Sequence, residues 1–519
     1  MNPEISGLLD ALESNISLNT YKLNTFATNY FNSLMEKLNT LDEMTINEVL
    51  DRIEIIADNS EAEAALLLYS MIFIYRQDKQ IVTKILLCTF KNREILGCDN
   101  VFFIYQQVLN MNFRYPKTDS DEIFKLNLDL YKYCLSNYAN LLQLECAPIP
   151  LQDRNEKLVL VITQQLISHS HAPSRIALER CKFLIDSGYK VLLINTAELL
   201  SNVRSLEFLY NYNCKASYIN EYLEINSLQW NGAEIPYFQC EENMPNYESI
   251  RQLLLMIREL KPACAISIAS GTIFEGLLAH IIPVLCIPMS YELTISGANY
   301  QIYSGEKNAH YYNRLNALGL TEDNILHSDH YGFSILEQKE THTRSEINLT
   351  EDDFVMVVAG GRLIDELSDS FINCFRNILQ QVPNAKLILI GPINISDINT
   401  DLGNHIICLG YVNDYLSWLD ICDLYINPKR KGGGTSCVEA MYKGLPIVTC
   451  NYGDIAINAG HEFCANDYDD YPQLIKRYYN DKEFYSRMSL LAQERASKLL
   501  NAKDLFLDTF KKFKSKSTM

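Results

Sequence analysis

Between Asn427 and Pro446 the chain reads Asn-Pro-Lys-Arg-Lys-Gly-Gly-Gly-Thr-Ser-Cys-Val-Glu-Ala-Met-Tyr-Lys-Gly-Leu-Pro. A β-branched run ends, three basic side chains and three glycines follow, and a helical pattern begins. Glycines at 432, 433 and 434 let the backbone approach a ligand closely. The helix start beyond them offers N–H groups at Thr435 and Ser436, and Lys429, Arg430 and Lys431 add positive charge. That combination suits an anion, and a diphosphate fits it.

A second segment of the same kind is Val357-Val-Ala-Gly-Gly-Arg-Leu363. Gly360 and Gly361 open the end of a strand, and Arg362 projects at its carboxyl end, where open α/β sheets bind ligands. Strand, Gly-rich turn, helix with Val438-Glu439-Ala440-Met441, then Gly444-Leu445-Pro446-Ile447-Val448 resembles the donor site of retaining GT-B glycosyltransferases related to glycogen and sucrose synthases. The match is strong over 354–480 and weaker over 157–300. The resemblance implies that Glu439 binds the donor ribose and that amides of Gly434, Thr435 and Ser436 contact the phosphates, with Gly433 also among the donor-binding residues. It further implies that Arg362 reaches the diphosphate and that Tyr411, in Leu409-Gly-Tyr-Val412, lies beside the base. Ile390-Gly391 and 465–470 match the family too.

Two positions depart from the family pattern. The family usually carries a glutamate eight residues before the ribose-binding one and a lysine five after the arginine; this chain has Lys431 and Leu367 there. The glutamate contacts the transferred sugar, so the sugar and the stereochemical course stay open. Lys429 or Lys431 is a candidate to replace the lysine. Arg362 and Lys431 are the expected stabilisers of the leaving group. If the reaction inverts, a base is also needed, with His169 or His171 as candidates.

Ser168-His-Ser-His-Ala-Pro-Ser174 follows a strand and opens a helix, placing His169 and His171 among the candidate acceptor-side groups with the Ser270-Gly271-Thr272 turn and Glu292. Asp467-Tyr-Asp469 has the look of a metal-binding pair, but it precedes a helix with Pro472 in its first turn, and capping is the expected role. No metal and no cofactor are expected; the nucleotide sugar is a substrate, with a UDP-sugar such as UDP-glucose favoured.

The elements that must position these residues form an α/β pattern. From Glu4 to Tyr115 there is no proline and only two glycines, and apolar residues recur at helical spacing, as in Ala64, Leu67, Leu68, Met71 and Ile72. Residues 1–145 read as a helical accessory or acceptor domain that ends at Cys146-Ala-Pro-Ile-Pro150, where the prolines disfavour helix. Strand-like runs at Leu158–Thr163, Val191–Asn195, Cys264–Ile268 and Val284–Ile287 alternate with helices over 155–335, as an acceptor-side Rossmann-like domain requires. A second series at Phe354–Ala359, Lys386–Gly391, His405–Gly410, Leu424–Asn427 and Ile447–Cys450 gives a donor domain over 350–500. Residues 501–519 read as a helix and basic tail. The expected fold is GT-B, two doubly wound Rossmann-like domains after an all-α domain. That order also resembles bacterial cytoplasmic protein glycosyltransferases.

Composition narrows the partners. A net charge of −19 over 519 residues argues against nucleic acid. No leader and no apolar run of membrane-spanning length is found, so a cytoplasmic protein is expected. The cysteines carry no CxxC pair and read as buried small hydrophobes. The expected activity is transfer of a hexose from a nucleotide sugar to a glycan or protein acceptor, with the helical domain a candidate surface for homo- or hetero-oligomers. A degenerate nucleotide-sugar-binding scaffold and a nucleotide-sugar epimerase are the alternatives.

Overall fold

The computed structural model describes residues 7, 9–10, 34–115, 118–142, 147–168, 171–199, 219–240, 244–268, 271–328, 332–398 and 402–517. The chain divides into two compact units. The first extends to Ile325 apart from two short segments, 290–292 and 302–305, and the second is 326–519 together with those segments.

In the first unit, helices Glu43–Asp58, Ala62–Arg76, Lys79–Lys91, Cys98–Arg114 and Asp121–Leu141 make a helical layer. Asp42, Asp78 and Ser120 start three of them by accepting hydrogen bonds from first-turn N–H groups that have no intrahelical partner. The Ala62–Arg76 helix is buried without interruption from Ala64 to Phe73, as a helix apolar on every side must be.

The helical layer is tied directly to the α/β part of the same unit. The Tyr105 hydroxyl donates to the Gly271 carbonyl at 3.1 Å, that of Tyr131 to Thr272 at 3.1 Å, and that of Tyr138 to Pro245 at 3.0 Å. One hydrophobic cluster runs from the helices through Leu160 and Ile162 to Ala298. The proline-marked boundary expected at Cys146, a residue outside the described ones, is therefore a change of secondary structure within one core. It does not divide two folding units.

The first sheet comprises β1 (Asn155–Thr163), β2 (Lys190–Asn195), β3 (Ser227–Trp230), β4 (Ala233–Gln239), β5 (Pro262–Ile268), β6 (Val284–Cys286), β7 (Tyr300–Tyr303) and β8 (Ile325–His327), in the order β3-β4-β2-β1-β5-β6-β7-β8. Pairing from β4 to β7 is parallel, as the alternation of strands and helices requires. β3 and β4 form an antiparallel hairpin that the sequence reading missed. Its signal is present: Asn231-Gly232 takes φ of 46° and 80°, the left-handed pair of a tight hairpin turn.

The second unit holds β9 (Phe354–Ala359), β10 (Ala385–Ile390), β11 (Ile406–Gly410), β12 (Leu424–Ile426), β13 (Ile447–Cys450) and β14 (Cys464–Ala465), in the order β11-β10-β9-β12-β13-β14 with every pair parallel. Strand β9 is buried along its whole length, which accounts for its uninterrupted apolar sequence. Helices Tyr471–Asn480, Lys482–Leu499 and Ala502–Ser517 end the chain; the last buries Phe506, Phe510 and Phe513 and leaves Lys511 and Lys512 exposed.

Strand order fixes where ligands belong. In the second sheet the chain leaves β9 toward β10 on one side and returns to β12 on the other, so the switch point lies between β9 and β12. In the first it lies between β1 and β5. Crevices for ligands form beyond the carboxyl ends of strands at such points. Among the described residues every cysteine is free, and no helix is long and apolar enough to cross a membrane.

Candidate functional site

The two segments singled out in the sequence leave β9 and β12, the strands on either side of the second switch point. After β12, Asn427 and Pro428 are buried and Lys429 is exposed. Gly432 and Gly433 take φ of 84° and 83°, a conformation that only glycine adopts without strain. Gly433 is the N-cap of the nine-residue helix Gly434–Tyr442 and offers no capping side chain. The first-turn amides of Gly434, Thr435 and Ser436 have no carbonyl one turn back within the helix. The Ser436 hydroxyl turns inward, donating to the Gly433 carbonyl at 2.9 Å and lying 3.0 Å from the Tyr425 hydroxyl.

After β9, Gly360 and Gly361 lead to Arg362, the N-cap of a short helix, Leu363–Glu366. One Arg362 nitrogen donates to Glu366 Oε1 at 2.8 Å and to the Lys431 carbonyl at 3.3 Å. The two loops therefore meet, with a partly exposed guanidinium at their junction.

Arg430 corrects an expectation. Its side chain is only 4% exposed, and it lies under the loop. Nε donates to Asn427 Oδ1 at 2.8 Å, Nη1 to Glu366 Oε2 at 2.6 Å, and Nη2 to the Ala359 carbonyl at 2.8 Å and the Tyr425 hydroxyl at 3.0 Å. A guanidinium so occupied shapes the loop instead of facing a ligand. Gly360 is required by it, since a Cβ there would come within 2.3 Å of Nη1. Glu366, which binds Arg362 with one oxygen and Arg430 with the other, is the residue that the sequence reading missed. Its place four residues after Arg362, one helical turn, was the available signal.

Lys431 and Glu292 also come together. Lys431 Nζ lies 3.5 Å from Glu292 Oε2, and the 290–292 segment belongs to the second unit. Glu292, expected on the acceptor side, thus sits against the Gly-rich loop. Glu439 lies in the Gly434–Tyr442 helix with 8% exposure. Tyr411 follows Gly410, whose φ is 68°, and is 67% exposed at the end of β11.

Asp467 and Asp469 do not face the loop as a pair: Asp467 Oδ1 accepts from the Asp469 N–H at 2.9 Å. The intervening Tyr468 hydroxyl accepts from the Lys429 N–H at 2.7 Å. Among the described residues no three His, Cys, Asp or Glu side chains are grouped to hold a metal ion.

In the first unit, His169 and Ser270 lie outside the described residues. His171 is the N-cap of helix Ala172–Asp186, with Nδ1 3.0 Å from Ser174 Oγ. Burial lowers its pKa to about 4, so at neutral pH it is an uncharged ring and a poor proton acceptor. The turn at Gly271 is closed by the fold itself. Tyr105 takes the Gly271 carbonyl, and Glu198 Oε1 accepts from Ile273 and Phe274 N–H at 2.8 and 3.3 Å. Thr272 Oγ1 accepts from Glu275 N–H at 3.2 Å. A carboxylate of the chain already fills this helix start, which corrects the expectation that the turn holds acceptor.

A family model described as glycosyl transferases group 1 matches residues 339–495, a range that includes both loops. Among solved structures, an O-GlcNAc transferase mutant from Thermobaculum terrenum is similar with a TM-score of 0.54 at 10% identity, over 100% of this chain and 99% of that one. A glycosyltransferase from Rickettsia africae gives a TM-score of 0.49 at 12% identity, over 70% of this chain and 99% of that one. A search of curated proteins returns no match. Residues 339–495 of the second unit thus match the group 1 glycosyl transferase model, and the chain has the GT-B fold.

Proposed function

We propose that the chain is a glycosyltransferase that takes a hexosyl group from a nucleoside diphosphate sugar, a UDP-sugar first, and transfers it with retention to a glycan or glycosylated protein. The observation that carries this reading is the uncapped start of helix Gly434–Tyr442, with Arg362 donating to the Lys431 carbonyl of the loop that leads into it. Helix dipole, first-turn amides, Arg362, Lys429 and Lys431 together supply positive potential for a diphosphate. Glu439 is the group for the ribose hydroxyls and Tyr411 the surface for the base.

In the transfer, the acceptor oxygen forms a bond to the sugar C1 as the bond from C1 to the diphosphate oxygen breaks. The electron pair stays on the departing nucleoside diphosphate, and the acceptor proton passes to that same phosphate oxygen. Arg362 and the loop amides stabilise the charge that develops there. A route in which the leaving group takes the proton fits a His171 whose basicity burial has reduced. The helical layer of the first unit is the surface for a large acceptor, whose remote contacts position the reacting hydroxyl.

Calorimetry with UDP tests the donor site. Glu439→Gln should weaken binding by roughly 10- to 150-fold, the equivalent of about 1.5–3 kcal/mol for a hydrogen bond to a charged group. Equal affinity in the two proteins would remove Glu439 from the site.

A further inference from the structure

Two of the cysteines that read as small hydrophobes meet in the helical layer. Cys98 is the first residue of helix Cys98–Arg114, after the N-cap Gly97, and is half-buried; Cys134 is fully buried in helix Asp121–Leu141. Cys98 Sγ lies 4.0 Å from the Cys134 carbonyl oxygen, and Cys134 Sγ lies 3.5 Å from that of Cys98. When each sulfur reaches the other residue's backbone, the two backbones run side by side with both thiols between them, which is the approach a disulfide needs. Other described cysteines turn elsewhere: Cys374 to the Tyr468 carbonyl, Cys422 to that of Trp418 and Cys464 to that of Gly460.

The two thiols are not equivalent. Cys98 is open enough for a small oxidant to reach it. The Cys98 thiol beside it, then burial, hold the Cys134 thiol well above its ordinary range, so Cys134 stays protonated at neutral pH.

We propose that Cys98 and Cys134 form a redox site, in which a peroxide oxidises Cys98 and Cys134 closes the disulfide. The Cys98 sulfur attacks one peroxide oxygen, the O–O bond breaks, and a sulfenic acid and water form. The Cys134 sulfur then attacks the Cys98 sulfur; the S–O bond breaks, and the departing hydroxide takes the Cys134 proton as a second water. The two thiols together lose two electrons and the peroxide gains them. The new bond closes a loop of about 35 residues and joins the helix of Tyr105 to that of Tyr131, the side chains that hold the Gly271 and Thr272 carbonyls. Oxidation therefore braces the attachment of the helical layer to the first sheet.

The test exposes the reduced full chain to hydrogen peroxide, digests it without reductant and maps the peptides by mass spectrometry. The Cys98 and Cys134 peptides should appear joined, two hydrogens lighter than their sum, and should separate on addition of dithiothreitol. The unfolding midpoint of the oxidised protein should rise by about 5 °C, as closure of a loop of this length demands. In Cys134→Ala, Cys98 should add oxygen and form no joined peptide, and Cys98→Ser should leave Cys134 unmodified. The peptide map of the wild-type chain needs neither variant to fold. If peroxide adds oxygen to Cys98 without joining it to Cys134, joins other cysteines first, or leaves both thiols free to be alkylated, the proposal is overturned.

Discussion

Replacing Glu366 by glutamine perturbs the one carboxylate that binds both arginines. Its oxygens lie 2.8 Å from Arg362 Nη2 and 2.6 Å from Arg430 Nη1, with side-chain exposures of 9%, 32% and 4% for the glutamate and the two arginines. The Arg362 contact is open enough to water to be worth only about 0–1 kcal/mol. The Arg430 contact is buried, and removing one partner of such a pair costs about 3–5 kcal/mol. Glutamine keeps one acceptor and the shape, so the loss falls to about 1.5–3 kcal/mol, the worth of a charged hydrogen bond. For a unit of this size that corresponds to a fall of roughly 3–12 °C in the unfolding midpoint. Scanning calorimetry reads the second unit directly, and UDP titration should show weaker binding because Arg362 and the loop lose their common anchor. A control separates the two effects: Glu366→Leu with Arg430→Met removes the buried charges together and should recover most of the stability without recovering UDP affinity. A Glu366→Gln protein that melts within about a degree of wild type and binds UDP equally well would refute the reasoning.

Gly360→Ala places a Cβ within 2.3 Å of a guanidinium that cannot retreat; a loss of about 1–3 kcal/mol in stability is expected, as for other overpacked sites, and denaturant titration measures it. His171 has a folded pKa of about 4 against an ordinary 6.5, so its neutral ring contributes stability that is complete above the upper value and is lost as pH falls through the lower. His171→Asn should flatten stability against pH in that window by up to about 1.4 kcal/mol per pH unit, one proton's worth. Transfer should survive EDTA, because Arg362, Lys429, Lys431 and the loop amides meet the diphosphate charge; activity lost to the chelator and restored by magnesium or manganese would contradict that.

The second sheet was legible because its central strand is buried along its length and written as an unbroken apolar run; Phe354–Ala359 and Ile447–Cys450 keep the bounds read from sequence. The hairpin of β3 and β4 alternates buried and exposed residues, a pattern lost in a reading that sought helices between strands. The Gly-rich loop was legible because left-handed backbone demands glycine at 432 and 433. The roles of its three basic residues were not, since charge in a sequence carries no direction: Lys429 is exposed, Lys431 faces Glu292, and Arg430 points into the core. Nor could periodicity show that the helical layer shares a core with β1. The tyrosines that join them, Tyr105 and Tyr131, hydrogen-bond to carbonyls more than a hundred residues away.

Two helix starts, at Ile273 and Gly434, follow strands that flank a switch point, and topology alone gives them equal claim to an anion. The difference between them is how their first-turn amides are satisfied. At Ile273 a threonine cap and the Glu198 carboxylate take the donors inside the protein, and burial raises the Glu198 pKa to about 7. A ligand there would have to displace a side chain already covalently at hand. At Gly434 the cap is a glycine with nothing to offer, and the Arg362 guanidinium is bound by Glu366 and the Lys431 carbonyl. An orphan donor must find a partner or cost free energy. The fold meets that demand with a side chain at the first site and supplies no side-chain cap at the second, which is why the proposed donor reading rests on the second unit. If this logic is right, Glu198→Leu, which leaves the Ile273 and Phe274 N–H groups without their acceptor, should lower the stability of the first unit and leave UDP affinity unchanged. A loss of UDP binding in that variant would show that the closed helix start takes part in the donor site after all.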